Sequence, residues 1–210
     1  MTGLPPPVPV PGPMVGAPAS AWNVANALTV LRLVLVPVFL LALFHDGGED
    51  ATWRVLAWVT FAVASVTDRI DGELARRRGL VTDFGKIADP IADKTLIGAA
   101  LIGLSLLGEL PWWVTAIVLV REIGVTALRL VVIRHGVMPA SRGGKLKTLL
   151  QSVAIGLHVL PTEGWVTTAA LAVMGVAVVV TVVTGVDYVL RAVRLRRTSA
   201  RSQLKRARRQ

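Results

Sequence analysis

Long apolar runs separated by short polar links organise this chain. A helix needs roughly 20 apolar residues to cross a hydrocarbon layer, and six runs approach that length. The first covers about Asn26 to Phe44, with Pro37 expected to kink it, and the second covers Thr52 to Val66. The third runs roughly from Ile87 to Leu107, although its first turns are polar, and the fourth from Trp112 to Ile133. The fifth covers about Leu146 to Leu160, and the sixth Trp165 to Val189. Trp112, Trp113 and Trp165 stand at run ends, where indole rings favour a membrane interface. The pattern predicts an all-α integral membrane protein with six transmembrane helices.

Charge in the links gives an expected orientation. The segment His45–Ala51 carries Asp46, Glu49 and Asp50 but no Lys or Arg. The links Gly108–Pro111 and Pro161–Gly164 also lack basic residues. Alternate links hold Arg76, Arg77, Arg78 and Lys86, then Arg134, Arg142, Lys145 and Lys147. Basic loops stay on the cytoplasmic side, so both termini and these links are expected there. The expected location is the cell (plasma) membrane, multi-pass, with an even number of spans.

Composition sharpens this picture. The chain has 210 residues, 53% of them hydrophobic, and a mean hydropathy of +0.63, which suits one membrane domain, expected over 21–192. It has no cysteine, which excludes disulfides, thiolate nucleophiles and Cys-ligated metal. The net charge of +10 raises nucleic-acid binding, but nine of the 23 Lys and Arg residues follow position 190, beside the last apolar run. A basic tail at 193–210 in that position reads as cytoplasmic and attracted to anionic lipid, with no nucleic-acid partner. Residues 1–20 hold seven prolines and no charged side chain, unlike a signal peptide. They predict a proline-rich, disordered cytoplasmic lead-in.

The candidate chemistry lies at the junction of the second and third runs. Five of the eight aspartates fall between positions 68 and 93. Asp68 and Asp71 are three apart, and Asp89 and Asp93 four apart, so each pair shares one face of its helix. Four carboxylates brought together repel and call for a cation. Hard oxygen ligands point to Mg2+, with Mn2+ or calcium less suited. The competing reading is a set of boundary charges paired with Arg69, Lys86 and Lys94. It accounts for single aspartates but not for the whole group, because carboxylates near hydrocarbon are costly.

The stretch from Asp68 through Asp71-Gly72, Ala75-Arg76 and Gly85 to Asp89 and Asp93 reads D-x2-D-G-x2-A-R-x8-G-x3-D-x3-D. It resembles the signature of the CDP-alcohol phosphatidyltransferase family at every fixed position. The resemblance implies transfer of a phosphatidyl group from CDP-diacylglycerol to an alcohol. It implies two metal ions held by Asp68, Asp71, Asp89 and Asp93, with Asp93 as general base. It places Gly72, Ala75, Arg76 and Thr82 around the CDP moiety, in a six-helix fold with a polar cavity open to the cytoplasm. Asn26-x-x-Thr29-x-x-Arg32 followed by Pro37 resembles the family's first-span motif, in which Asn26 and Thr29 help hold the nucleotide. The plainer reading of that stretch is a polar helix start with Arg32 snorkelling to the interface. The family also implies a homodimer.

The second half bears on the acceptor. Arg121-Glu122-Ile123, and Gly144-Lys145-x-Lys147-Thr148 leading to Gln151, resemble the members that use glycerol 3-phosphate. A phosphate dianion needs several cationic donors, which makes Arg121, Lys145 and Lys147 the expected contacts. Plainer alternatives are an Arg121–Glu122 ion pair and lysines that only set topology. A lipid acceptor (phosphatidylglycerol, as in cardiolipin synthesis) and inositol phosphate are the alternatives within the family. A secondary transporter is disfavoured, since the aspartates cluster at one face and no repeat relates 26–107 to 112–189. Gly98 and Gly103 are expected to permit close helix packing.

Overall fold

The structure, a computed structural model, describes residues 24–78, 83–132 and 142–207. Six α-helices and one short 3-10 turn make up the described residues, with no strand among them. The helices are α1 (Val24–Phe44), α2 (Ala51–Arg78), α3 (Asp83–Leu106), α4 (Trp112–Val132), α5 (Arg142–Val159) and α6 (Trp165–Ala207). Each expected run is present as a helix, and the polar ends extend beyond the apolar runs. α2 carries on past Val66 to Arg78, α3 begins at Asp83, and α6 continues past Val189 to Ala207. Pro37 stands inside α1 without ending it.

α1 packs most extensively on α2 and α3, and α6 on α5 and α4. Phe39 and Phe61 meet across α1 and α2 with ring centroids 5.8 Å apart. Around them Leu43, Leu101, Leu104, Val118 and Ile155 are fully buried. Small residues share that interior, among them Ala57, Ala64, Ala100 and Ala154. Small side chains let helix backbones approach where no hydrophobic driving force between helices is available. Two buried polar contacts tie helices together: Ser105 and Thr115 are 2.7 Å apart, joining α3 and α4, and Gln151 Nε2 donates to Thr181 Oγ1 at 3.0 Å, joining α5 and α6.

Gly103 is a point of close approach. A Cβ there would stand 2.7 Å from Leu43 Cδ2, whose side chain is itself fully buried. Overpacking of this kind costs about 1–3 kcal/mol. Gly103→Val is therefore expected to lower the thermal unfolding midpoint, and an unchanged midpoint in detergent would contradict the α1–α3 packing. Gly98 has room for a Cβ, at 3.5 Å from Leu119 Cδ2, so the expectation of tight packing holds for Gly103 and is weaker for Gly98.

Outward positions are apolar. Leu41 is 73% exposed and Val120 71%, and Ile123, Val179 and Val183 are also exposed. Trp112, Trp113 and Trp165 begin their helices with exposed rings. A bundle with large aliphatic side chains outside and hydroxyls, amides and ions inside is built for an apolar surround. By length and composition, two helical stretches suffice to cross a membrane, Asn26–Gly48 and Trp165–Leu195, while Lys94–Leu106 and Leu146–Val159 are shorter apolar stretches.

The end of the bundle away from the aspartates is tied by an ion pair. Arg54 at the start of α2 reaches Glu109, in the α3–α4 turn, through both carboxylate oxygens at 2.6 and 2.8 Å. It also donates to the His158 carbonyl at the end of α5 at 2.7 Å. Asp50 caps α2, accepting from the Thr52 and Trp53 amides at 2.8 and 3.1 Å.

Candidate active site

The opposite end gathers the polar residues singled out by the sequence. On α1, Asn26, Thr29 and Arg32 follow one another at three-residue spacing and are all buried. Arg32 has no exposed side-chain surface, and its guanidinium meets Asp68 Oδ1 at 2.6 Å. The snorkelling reading of Arg32 is therefore corrected. A guanidinium buried between α1 and α2 is desolvated, and the Asp68 carboxylate offsets part of that cost. This pair joins the two expected substrate motifs, one on each helix.

Asp68 and Asp71 lie on α2, and Asp89 and Asp93 on α3, both helical through these positions. Register puts position 93 on the face of α3 that carries Leu96, Ile97 and Ala100, all buried. α2 and α3 touch each other, and both pack on α1. By residue type, an all-carboxylate donor set suits a hard divalent cation. The side chains of Asp71, Asp89 and Asp93 lie outside the described residues, as do those of Gly72, Ala75, Arg76 and Lys145. Thr82 lies outside the described residues altogether.

A second polar group joins α4, α5 and α6. Glu122 accepts from Lys147 and, at 3.2 Å, from Arg121, both at Oε1. Arg121 continues to Thr184 on α6 at 3.3 Å and lies 5.8 Å over the Tyr188 ring. Its Cγ stands 3.1 Å from where a Cβ on Gly185 would be, so Gly185 is what lets α6 close over the arginine. Lys147 is 4% exposed and Gln151, one turn further along α5, is 2% exposed. Arg121 and Lys147 are thus brought together, as expected of a shared site. The Arg121–Glu122 ion pair weighed as the plainer alternative is present as well.

The sequence reading paired Glu122 with Arg121 alone and missed that the same carboxylate also holds Lys147. It also treated Lys94 only as a partner for the aspartates, whereas Lys94 donates to the Thr126 hydroxyl on α4. Lys94, Glu122, Thr126, Lys147 and Gln151 line one cavity of about 390 Å³ between α3, α4 and α5. A signal for Lys94 was available: it opens an apolar stretch of α3, where a charge is costly unless it has a task.

With this geometry in hand, the chain's relationships are clear. Residues 22–183 match the model of the CDP-alcohol phosphatidyltransferase family, and the chain belongs to that family. The family is membrane-bound and generally metal-dependent. The chain is 65% identical over 172 residues to a protein of Mycobacterium tuberculosis named a probable phosphatidylglycerophosphate synthase, covering 82% of each. It is 39% identical over 180 residues to the CDP-diacylglycerol–glycerol-3-phosphate 3-phosphatidyltransferase of Bacillus subtilis, covering 80% of this chain and 93% of that one. The enzyme of the same name from Escherichia coli is 36% identical over 174 residues, with 80% and 93% covered.

Proposed function

We propose that this protein is a six-span membrane enzyme that transfers the phosphatidyl group of CDP-diacylglycerol to glycerol 3-phosphate, giving phosphatidylglycerophosphate and CMP. The observation that carries this reading is the Arg32–Asp68 pair. It sets the buried α1 motif against the aspartate helix within one family fold. The relatives named for this reaction favour glycerol 3-phosphate over the lipid and inositol phosphate acceptors.

In this reading Asn26, Thr29, Gly72, Ala75, Arg76 and Thr82 hold the CDP moiety. Gly72 lets the nucleotide approach the α2 backbone, and Arg76 offers its planar fork to a diphosphate oxygen. Asp68, Asp71, Asp89 and Asp93 hold two Mg2+ ions, with Mn2+ as a substitute. When bound, the metal neutralises the diphosphate and stabilises the leaving CMP. Asp93 takes the proton of the acceptor hydroxyl as its oxygen bonds to the phosphorus bearing diacylglycerol. The bond from that phosphorus to CMP then breaks, and CMP leaves with the electron pair. Arg121, Lys145 and Lys147 face the acceptor phosphate. The site opens on the cytoplasmic side, where the basic links and both termini lie, and the enzyme works as a homodimer.

The test is CMP release from CDP-diacylglycerol by the purified protein with Mg2+, comparing glycerol 3-phosphate, phosphatidylglycerol and inositol phosphate. Turnover with glycerol 3-phosphate alone, abolished by chelation and restored by Mg2+, is the expected result. Turnover with another acceptor instead would overturn the acceptor assignment, and turnover that survives complete chelation would overturn the metal site.

A further inference from the structure

The cavity between α3, α4 and α5 is lined by two lysines, Lys94 and Lys147, and one carboxylate, Glu122. Glu122 accepts from Lys147 and, from outside the lining, also holds Arg121. Lys94 stands on the facing wall, half-buried, with the neutral Thr126 hydroxyl as its partner and no carboxylate within ion-pair distance among the described residues. Thr126 in turn donates to the Glu122 carbonyl at 2.7 Å, which fixes the hydroxyl that receives Lys94. The rest of the lining is largely aliphatic, including Ile97 and Leu119. An ammonium held in such surroundings without a counter-ion loses hydration that nothing repays, unless an anion arrives. Lys94 on α3 and Lys147 on α5 both line this cavity, so an entering phosphate would meet an ammonium on each of two walls.

We infer that Lys94 binds the acceptor phosphate from the α3 side of this cavity. The inference rests on the acceptor reading proposed above and adds a residue from another helix. Lys94 follows directly on Asp93 in α3, so one helix carries both the proposed base and the phosphate contact. A helix so loaded fixes the spacing between the proposed base and the phosphate contact. Glu122 does not touch the phosphate; it positions Lys147 and Arg121.

The test is Lys94→Met, a substitution of similar length whose apolar side chain suits the aliphatic lining. Losing one charge-assisted contact to a phosphate is worth roughly 10- to 100-fold in affinity. The KM for glycerol 3-phosphate is expected to rise by about that factor, with the KM for CDP-diacylglycerol within about two-fold of wild type. Calorimetric titration of the Mg2+-loaded protein with glycerol 3-phosphate should weaken in parallel, and Lys94→Arg should recover part of the loss. A folded Lys94→Met protein with wild-type KM and wild-type heat of binding would overturn the inference. If Lys94→Met does not fold, Thr126→Val frees the ammonium from its anchor and is expected to raise the same KM several-fold; an unchanged KM there would overturn it too. Wild-type protein that turns over only phosphatidylglycerol or inositol phosphate would instead overturn the acceptor reading, before any variant is made.

Discussion

Asp93→Asn is expected to give a folded protein whose CMP release is slower by about 10³-fold or more, at saturating CDP-diacylglycerol, glycerol 3-phosphate and Mg2+. Asparagine keeps the shape of the side chain at a position on the buried face of α3, so the packing of Leu96, Ile97 and Ala100 has no reason to change. In the proposed mechanism it removes a proton acceptor and a charged metal ligand together. General-base assistance alone is worth about 10²–10⁴-fold, and a weakened metal adds to that. Added metal should recover little of the loss, because a better-filled site still lacks the base. Asp68→Asn should behave differently, since Arg32 at 2.6 Å then faces a neutral amide in a sealed position, and stability falls along with activity. A purified Asp93→Asn protein with near-normal turnover would remove this residue from the mechanism.

Glu109→Gln is expected to cause the largest loss of stability among single substitutions at the far end of the bundle. The Arg54 side chain is only 6% exposed, and both of its terminal nitrogens are engaged by the carboxylate. Removing one partner of a buried pair costs about 3–5 kcal/mol, and the 33% exposure of Glu109 places this pair near the lower bound. For a domain of this size, about 3 kcal/mol lowers the midpoint by roughly 6–12 °C. Two elements lose their tie when the pair fails, the start of α2 and the α3–α4 turn, while Arg54 keeps its hydrogen bond to the His158 carbonyl at the end of α5. The double variant Arg54→Met with Glu109→Leu should regain much of the loss, since replacing both charges by apolar groups is often neutral. Thermal unfolding in detergent of the two variants side by side decides the matter. A single variant within a degree or two of wild type would mean that the pair contributes nothing.

Much of this protein was legible before any coordinates. The six helices follow from runs of apolar residues, because hydrocarbon length and backbone hydrogen bonding leave a chain few other options. The family followed from eight residues spread over 68–93, since a metal-carboxylate and nucleotide site fixes residue type and spacing together. The apolar runs stop short of the helix ends at Val66, Ile87, Leu146 and Val189. Periodicity in an apolar run fades where the helix leaves it, although the backbone hydrogen bonds continue into polar sequence.

The sequence by itself determined the helices, their order and the aspartate pairs, because each of these depends on spacing within one stretch of chain. Tertiary structure alone decided which charges meet. Arg32 with Asp68, Arg54 with Glu109, and Lys147 with Glu122 are 36, 55 and 25 positions apart. It turned Arg32 inward, and it gave Lys94 a hydroxyl rather than an aspartate as its partner. No local rule selects these partners. They are fixed by which helix faces pack together, and a buried charge then takes whatever counter-charge or hydroxyl that packing brings within reach.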